Sequence, residues 1–100
     1  MKALIALALA FAASPVFAGY CTPPLHRSQS ARHAFVLGNP CPATGLPLLP
    51  CKGYIIDHKV PLCLCGADAA SNMQWQTVAA AHKKDLGEWR SCRLAKKAPS

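Results

Sequence analysis

Four stretches of the chain carry a readable pattern of apolar and polar positions. The first is an unbroken apolar run from Ala3 to Ala13, behind the basic start Met1-Lys2. It is shorter than the ~20 apolar residues that a bilayer span needs, and Ser14-Pro15 ends it. Val16-Phe17-Ala18 then sets small or aliphatic residues at the positions a signal peptidase reads, so residues 1–18 are expected to be a secretory signal peptide cut after Ala18. In the second stretch, Ser28 or Ser30 can cap a short helix ending near Gly38. Its Ala31, Ala34, Phe35 and Leu37 would make apolar contacts, with Arg27, Arg32 and His33 toward solvent or a ligand. Residues 39–52 hold Pro40, Pro42, Gly45, Pro47 and Pro50 and read as a loop with turns. Tyr54, Ile55 and Ile56 open the third stretch, a strand expected from Gly53 to Val60 that Pro61 breaks. Leu62 to Ser71 reads as a loop centred on Gly66. A second strand can begin near Met73, although Trp75 can equally open the last helix, which runs from Trp75 or Thr77 to Leu94. At ~100° per residue, Trp75, Val78, Ala79, His82, Leu86 and Trp89 share one face of that helix. This predicts that His82 points inward and that both tryptophans are core.

Composition narrows the class. One hundred residues make one domain, which excludes barrels and full dinucleotide-binding sheets. The chain divides into the leader, an N-terminal helix with its Pro/Gly-rich loop (19–52), a core (53–94) and a tail (95–100). No second apolar run is long enough to cross a membrane, so a soluble periplasmic or secreted protein is expected, without stable membrane association after cleavage. All six cysteines, Cys21, Cys41, Cys51, Cys63, Cys65 and Cys92, lie beyond Ala18. A domain this small buries a thin core and usually needs a staple. In an oxidising compartment disulfides supply it, at about 2–4 kcal/mol each. The spacing does not choose the pairing, but Cys41 with Cys51 is favoured because the Pro and Gly turns between them bring the ends together. A structural zinc site prefers paired C-x-x-C motifs, and only one C-x-C occurs here, Cys63 and Cys65.

Charge and spacing together point to chemistry. Eleven Lys and Arg against four Asp and Glu give a formal charge of +7, which suits a polyanionic partner. Asp57-His58 closes the apolar strand, Pro61-Leu62 follows, Asn72 ends the Gly66 loop, and His82 and Lys84 lie beyond it. The stretch IIDHKVPLCLCGADAASNMQWQTVAAAHKKD, Ile55 to Asp85, resembles an HNH endonuclease motif, the ββα-metal or His-Me finger fold. The NMQWQT run and the upstream PCPATG and PCKGYIIDH are similar to those of small secreted bacterial HNH proteins. The resemblance implies a small α+β ββα-metal fold with an extra N-terminal helix, stapled by disulfides. It implies hydrolysis of phosphodiester bonds in DNA, with RNA as the further candidate substrate, and with little sequence specificity. His58 would be the general base, a task suited to an imidazole with its ordinary pKa near ~6.5. Asn72 would orient His58 by accepting a hydrogen bond from its ring. Asp57 and His82 would ligate one divalent metal ion, Mg, Mn, Zn or Ni. Lys59, Lys83, Lys84 and Arg90 would bind nucleic acid.

The chain departs from the family pattern at one informative place. The usual last His follows the Asn by nine residues, a position held here by Ala81, and His82 is one later. A shift of one turns a helical side chain by about 100°. Either the connection before the helix has one extra residue and His82 still faces the metal, or the family position is lost. The apolar stripe supports the first alternative, and Lys84, which keeps the usual distance from Asn72, supports the second. The rival function is an inactive HNH-fold protein that binds nucleic acid without cutting it. A cationic protein acting on membranes is disfavoured, because the last helix separates its charges poorly.

Overall fold

The computed structural model describes residues 19–98. The expected signal peptide, residues 1–18, lies outside the described residues. Among those described are two α-helices and one two-stranded antiparallel sheet, in a small α+β arrangement closed by three disulfides. No described helix is long and apolar enough to cross a membrane.

Helix α1 spans Gln29–Gly38. Ser28 caps it as the sequence predicts, its Oγ accepting from the Ala31 amide at 3.1 Å. Asn39 closes the other end by donating to the Phe35 carbonyl at 3.0 Å. The buried residues of α1 are Phe35 and Val36. Leu37 is 58% exposed, so the apolar face is set one position away from the expected one. Strand β1 is Tyr54–His58 and β2 is Met73–Thr77, with Ile56 opposite Trp75 and His58 opposite Met73. Trp75 therefore lies in the strand and does not open the helix. Helix α2, Val78–Lys97, starts at Thr77, whose Oγ1 accepts from the Ala80 amide at 3.1 Å. It runs three residues past the expected end at Leu94.

Phe35, Val36 and Met73 form the core, with Ala31, Ile56, Ala70 and Trp75 packed against them. Burying each of the three is worth about 1.5–3 kcal/mol. The Trp75 indole tilts against Phe35 with centroids 5.5 Å apart and donates to the Asn39 carbonyl at 2.8 Å. The sheet is thereby fixed to the end of α1.

The disulfides pair Cys21 with Cys65, Cys41 with Cys51, and Cys63 with Cys92. The Cys41–Cys51 pair is the expected one. No free cysteine is left among the described residues for a zinc site. The C-x-C motif serves two directions: Cys65 holds the N-terminal arm and Cys63 holds α2.

Candidate functional site

The β1–β2 connection builds the site. Pro61–Cys65 is a tight turn with bonds from the Leu64, Cys65 and Gly66 amides. Gly66 is required there by close approach, since a Cβ would collide with the Val60 carbonyl. Asn72 clamps this loop. Its Oδ1 accepts from the Val60 amide at 3.0 Å, and its Nδ2 donates to the carbonyls of Val60 at 2.9 Å and Ala67 at 2.8 Å. Its bonds all go to loop backbone, so it does not hold the His58 ring as the resemblance implies. It positions His58 through the chain, because the Lys59 amide also donates to the Asn72 carbonyl at 2.7 Å.

The partner of the His58 ring is Asp68. His58 Nε2 lies 3.0 Å from Asp68 Oδ1, and both side chains are largely buried. The other oxygen, Oδ2, accepts from the Ser28 amide at 2.6 Å. The Ser28 amide and then the His58 bond hold the Asp68 carboxyl below its ordinary value of 3.8, against the opposing effect of burial. An ionised Asp68 accepts the Nε2 proton, so the neutral ring keeps its lone pair on Nδ1.

Asp57 leaves the opposite face of β1 and meets α2. Its Oδ2 is 2.9 Å from Lys84 Nζ. The same ammonium pairs with Glu88 and donates to the His58 carbonyl at 2.9 Å. Gln74, opposite Asp57 on β2, donates to its Oδ2 at 3.3 Å. One carboxylate oxygen from each of Asp57, Asp85 and Glu88 lies within 4.8 Å of the others. A cleft of about 910 Å³ brings Asp57, His58, Asp85 and Glu88 together with Arg27 and Arg32.

His82 does not join this cluster. The inner face of α2 is Ala81, Lys84, Asp85, Glu88 and Cys92, whereas His82, Val78, Leu86 and Trp89 are exposed. His82 is turned by about 100° from Ala81, which is buried against the sheet. The expected inward stripe is thus corrected, and Trp89, 57% exposed, is not core. The cause is the Cys63–Cys92 disulfide and the three bonds of Lys84, which turn the helix toward its Ala81 face. Of the residues expected to bind nucleic acid, Lys59, Lys83 and Arg90 are exposed and outside the cleft lining, and Lys84 is engaged by carboxylates. Lys83 and Arg90 lie across the helix from Ala81 by the same ~100° count.

The sequence reading missed Asp68, Asp85 and Glu88. Asp85 and Glu88 could have been found from Ala81, since all three recur at helical spacing. Asp68 carried no periodic signal. Comparison of the chain with protein-family models, curated proteins and solved structures finds no match.

Proposed function

We propose that this protein is a secreted or periplasmic, metal-dependent endonuclease of the HNH, ββα-metal type, hydrolysing phosphodiester bonds in DNA with low sequence specificity. One observation carries the reading. His58, whose ring pairs with Asp68, lines a cleft together with three clustered carboxylates where a β-β-α unit meets. The residues fit a divalent cation. Their donors are hard carboxylate oxygens, and the cluster has already drawn in a cation of its own, the Lys84 ammonium. Asp57, Asp85 and Glu88 would hold the ion, replacing the Asp57–His82 set, and this all-oxygen set suits Mg²⁺ or Mn²⁺. When bound, it supplies positive charge to the phosphate and the leaving oxygen.

The chain's own residues do the rest. His58 takes a proton from water at Nδ1, while Nε2–H stays on Asp68. The water oxygen bonds to phosphorus as the bond to the leaving sugar oxygen breaks, and that oxygen takes a proton from solvent. Asp68 holds the ring and favours the imidazolium that forms. Asn72 keeps the loop from drifting.

The test is cleavage of supercoiled plasmid and single-stranded DNA by the oxidised protein with Mg²⁺, Mn²⁺, Zn²⁺ or Ni²⁺, and with EDTA. Metal-dependent cleavage is expected, falling about 10²–10⁴-fold in His58→Ala. A second reading is an HNH-fold protein that binds DNA without cutting it. It is favoured by Ala81, which takes the inward position at the usual spacing of the last His. No cleavage with any of the metals, by a folded protein that still shifts DNA on a gel, would establish that reading instead.

A further inference from the structure

We propose that Arg32, with Arg27 beside it, forms the seat for a phosphate oxygen of the substrate strand. This rests on the phosphodiesterase reading and names the anion subsite of the same cleft. Arg32 Nε is buried and has no hydrogen-bond partner among the described residues. A buried donor on a charged group is costly to leave unpaired, so the Arg32 side chain gains by turning its guanidinium to an oxyanion in the cleft that it lines. Arg32 lines the cleft together with Asp57, Asp85 and Glu88, yet no ion pair joins it to any of them within 4.0 Å. The carboxylates take Lys84 and leave the guanidinium available. Its planar fork matches two phosphate oxygens better than an ammonium does.

The seat is held in register with His58. Asp68 accepts from the His58 ring with one oxygen and from the Ser28 amide with the other. Ser28 caps α1, which carries Arg32 in its first turn, and Arg27 immediately precedes Ser28. Arg27 lines the same cleft and lies close enough to favour the Asp68 charge. The lysines and Arg90 of α2 offer no equivalent, being exposed on other faces or already paired.

The test is fluorescence anisotropy of the oxidised protein with a labelled single-stranded DNA of about twelve nucleotides, in EDTA and again in Ca²⁺, across a salt series. Arg32→Met is expected to weaken binding about tenfold and to reduce the log–log salt slope by about one. Arg32→Lys should fall between the two, keeping charge and losing the fork. Arg27→Met, at an exposed residue whose loss leaves the fold intact, should weaken binding about threefold. Lys83→Met and Arg90→Met should stay within about twofold of wild type. The proposal is overturned if Arg32→Met and Arg27→Met bind as wild type in both conditions, if wild type does not bind in either, or if Arg90→Met loses as much as Arg32→Met. Arg-dependent binding without cleavage keeps the seat and removes the nuclease. Cleavage by Arg32→Met with an unchanged KM removes the seat and keeps the nuclease.

Discussion

Asp68 is the residue on which the most depends. It ties the candidate base to the cap of α1 through its two carboxyl oxygens, which accept most strongly when ionised. Its carboxyl is held below the ordinary value of 3.8, chiefly by the Ser28 amide and the His58 ring. Such a group stabilises the fold fully above its unfolded pKa and loses that contribution as pH falls through the lower folded one. Urea unfolding across a pH series should therefore show wild type more stable than Asp68→Asn at neutral pH. The difference should shrink once pH drops below 3.8. On the proposed nuclease reading, the same substitution should slow hydrolysis roughly 10²-fold, since Asn cannot favour the imidazolium. Trp89 makes the opposite case. With 57% of its surface exposed, Trp89→Ala should cost under ~1 kcal/mol, whereas Phe35→Ala, at 4% exposure, should cost about 3–5 kcal/mol in chemical denaturation.

At the scale of elements, α2 sets the character of the cleft. Its inner face presents Ala81 to the sheet and Lys84, Asp85 and Glu88 to the end of β1. Lys84 neutralises part of the carboxylate cluster and fastens α2 to the His58 carbonyl. Lys84→Met should cost about 1–3 kcal/mol, between the values for exposed and buried pairs. It should also make Mn²⁺ raise the melting temperature more than in wild type, because the ion then meets no competing ammonium. The β1–β2 connection is equally specific. Gly66→Ala should cost about 2–3 kcal/mol and loosen the Asn72 clamp, since the added carbon meets the Val60 carbonyl and Asn72 Nδ2. Reduced backbone protection at Lys59 and Val60 in hydrogen exchange would report that loosening.

Across the whole molecule, covalent links compensate for a core of few residues. The links close separations of 44, 29 and 10 residues for Cys21–Cys65, Cys63–Cys92 and Cys41–Cys51. On loop-closure entropy these stabilise the fold by about 4, 3.5 and 2.5 kcal/mol. Full reduction should therefore unfold the protein, as a loss of near-ultraviolet circular dichroism. Replacing Cys63 and Cys92 together by alanine should release α2 before it abolishes the sheet, and on the proposed nuclease reading it should weaken metal and DNA binding with it.

Much of this was legible in the chain itself. The Ser28 cap, the strand opened by Tyr54-Ile55-Ile56 and the Cys41–Cys51 pairing are local events, decided by residues within a few positions of one another, although the strand ends at His58 and not at Val60. Asp57 and His58 were likewise legible as a pair at a strand end. The face that α2 turns inward was not. Its apolar positions argued for His82, Leu86 and Trp89, but the Cys63–Cys92 link and the Lys84 contacts outweigh that weak stripe and turn Ala81, Asp85 and Glu88 toward the site. The partner of His58 was also beyond local reading, because Asp68 acts by joining a loop to Ser28 forty residues away. Short-range propensity and turn chemistry wrote the elements. Contacts between distant residues, which no window of sequence contains, decided which side chains meet in the cleft.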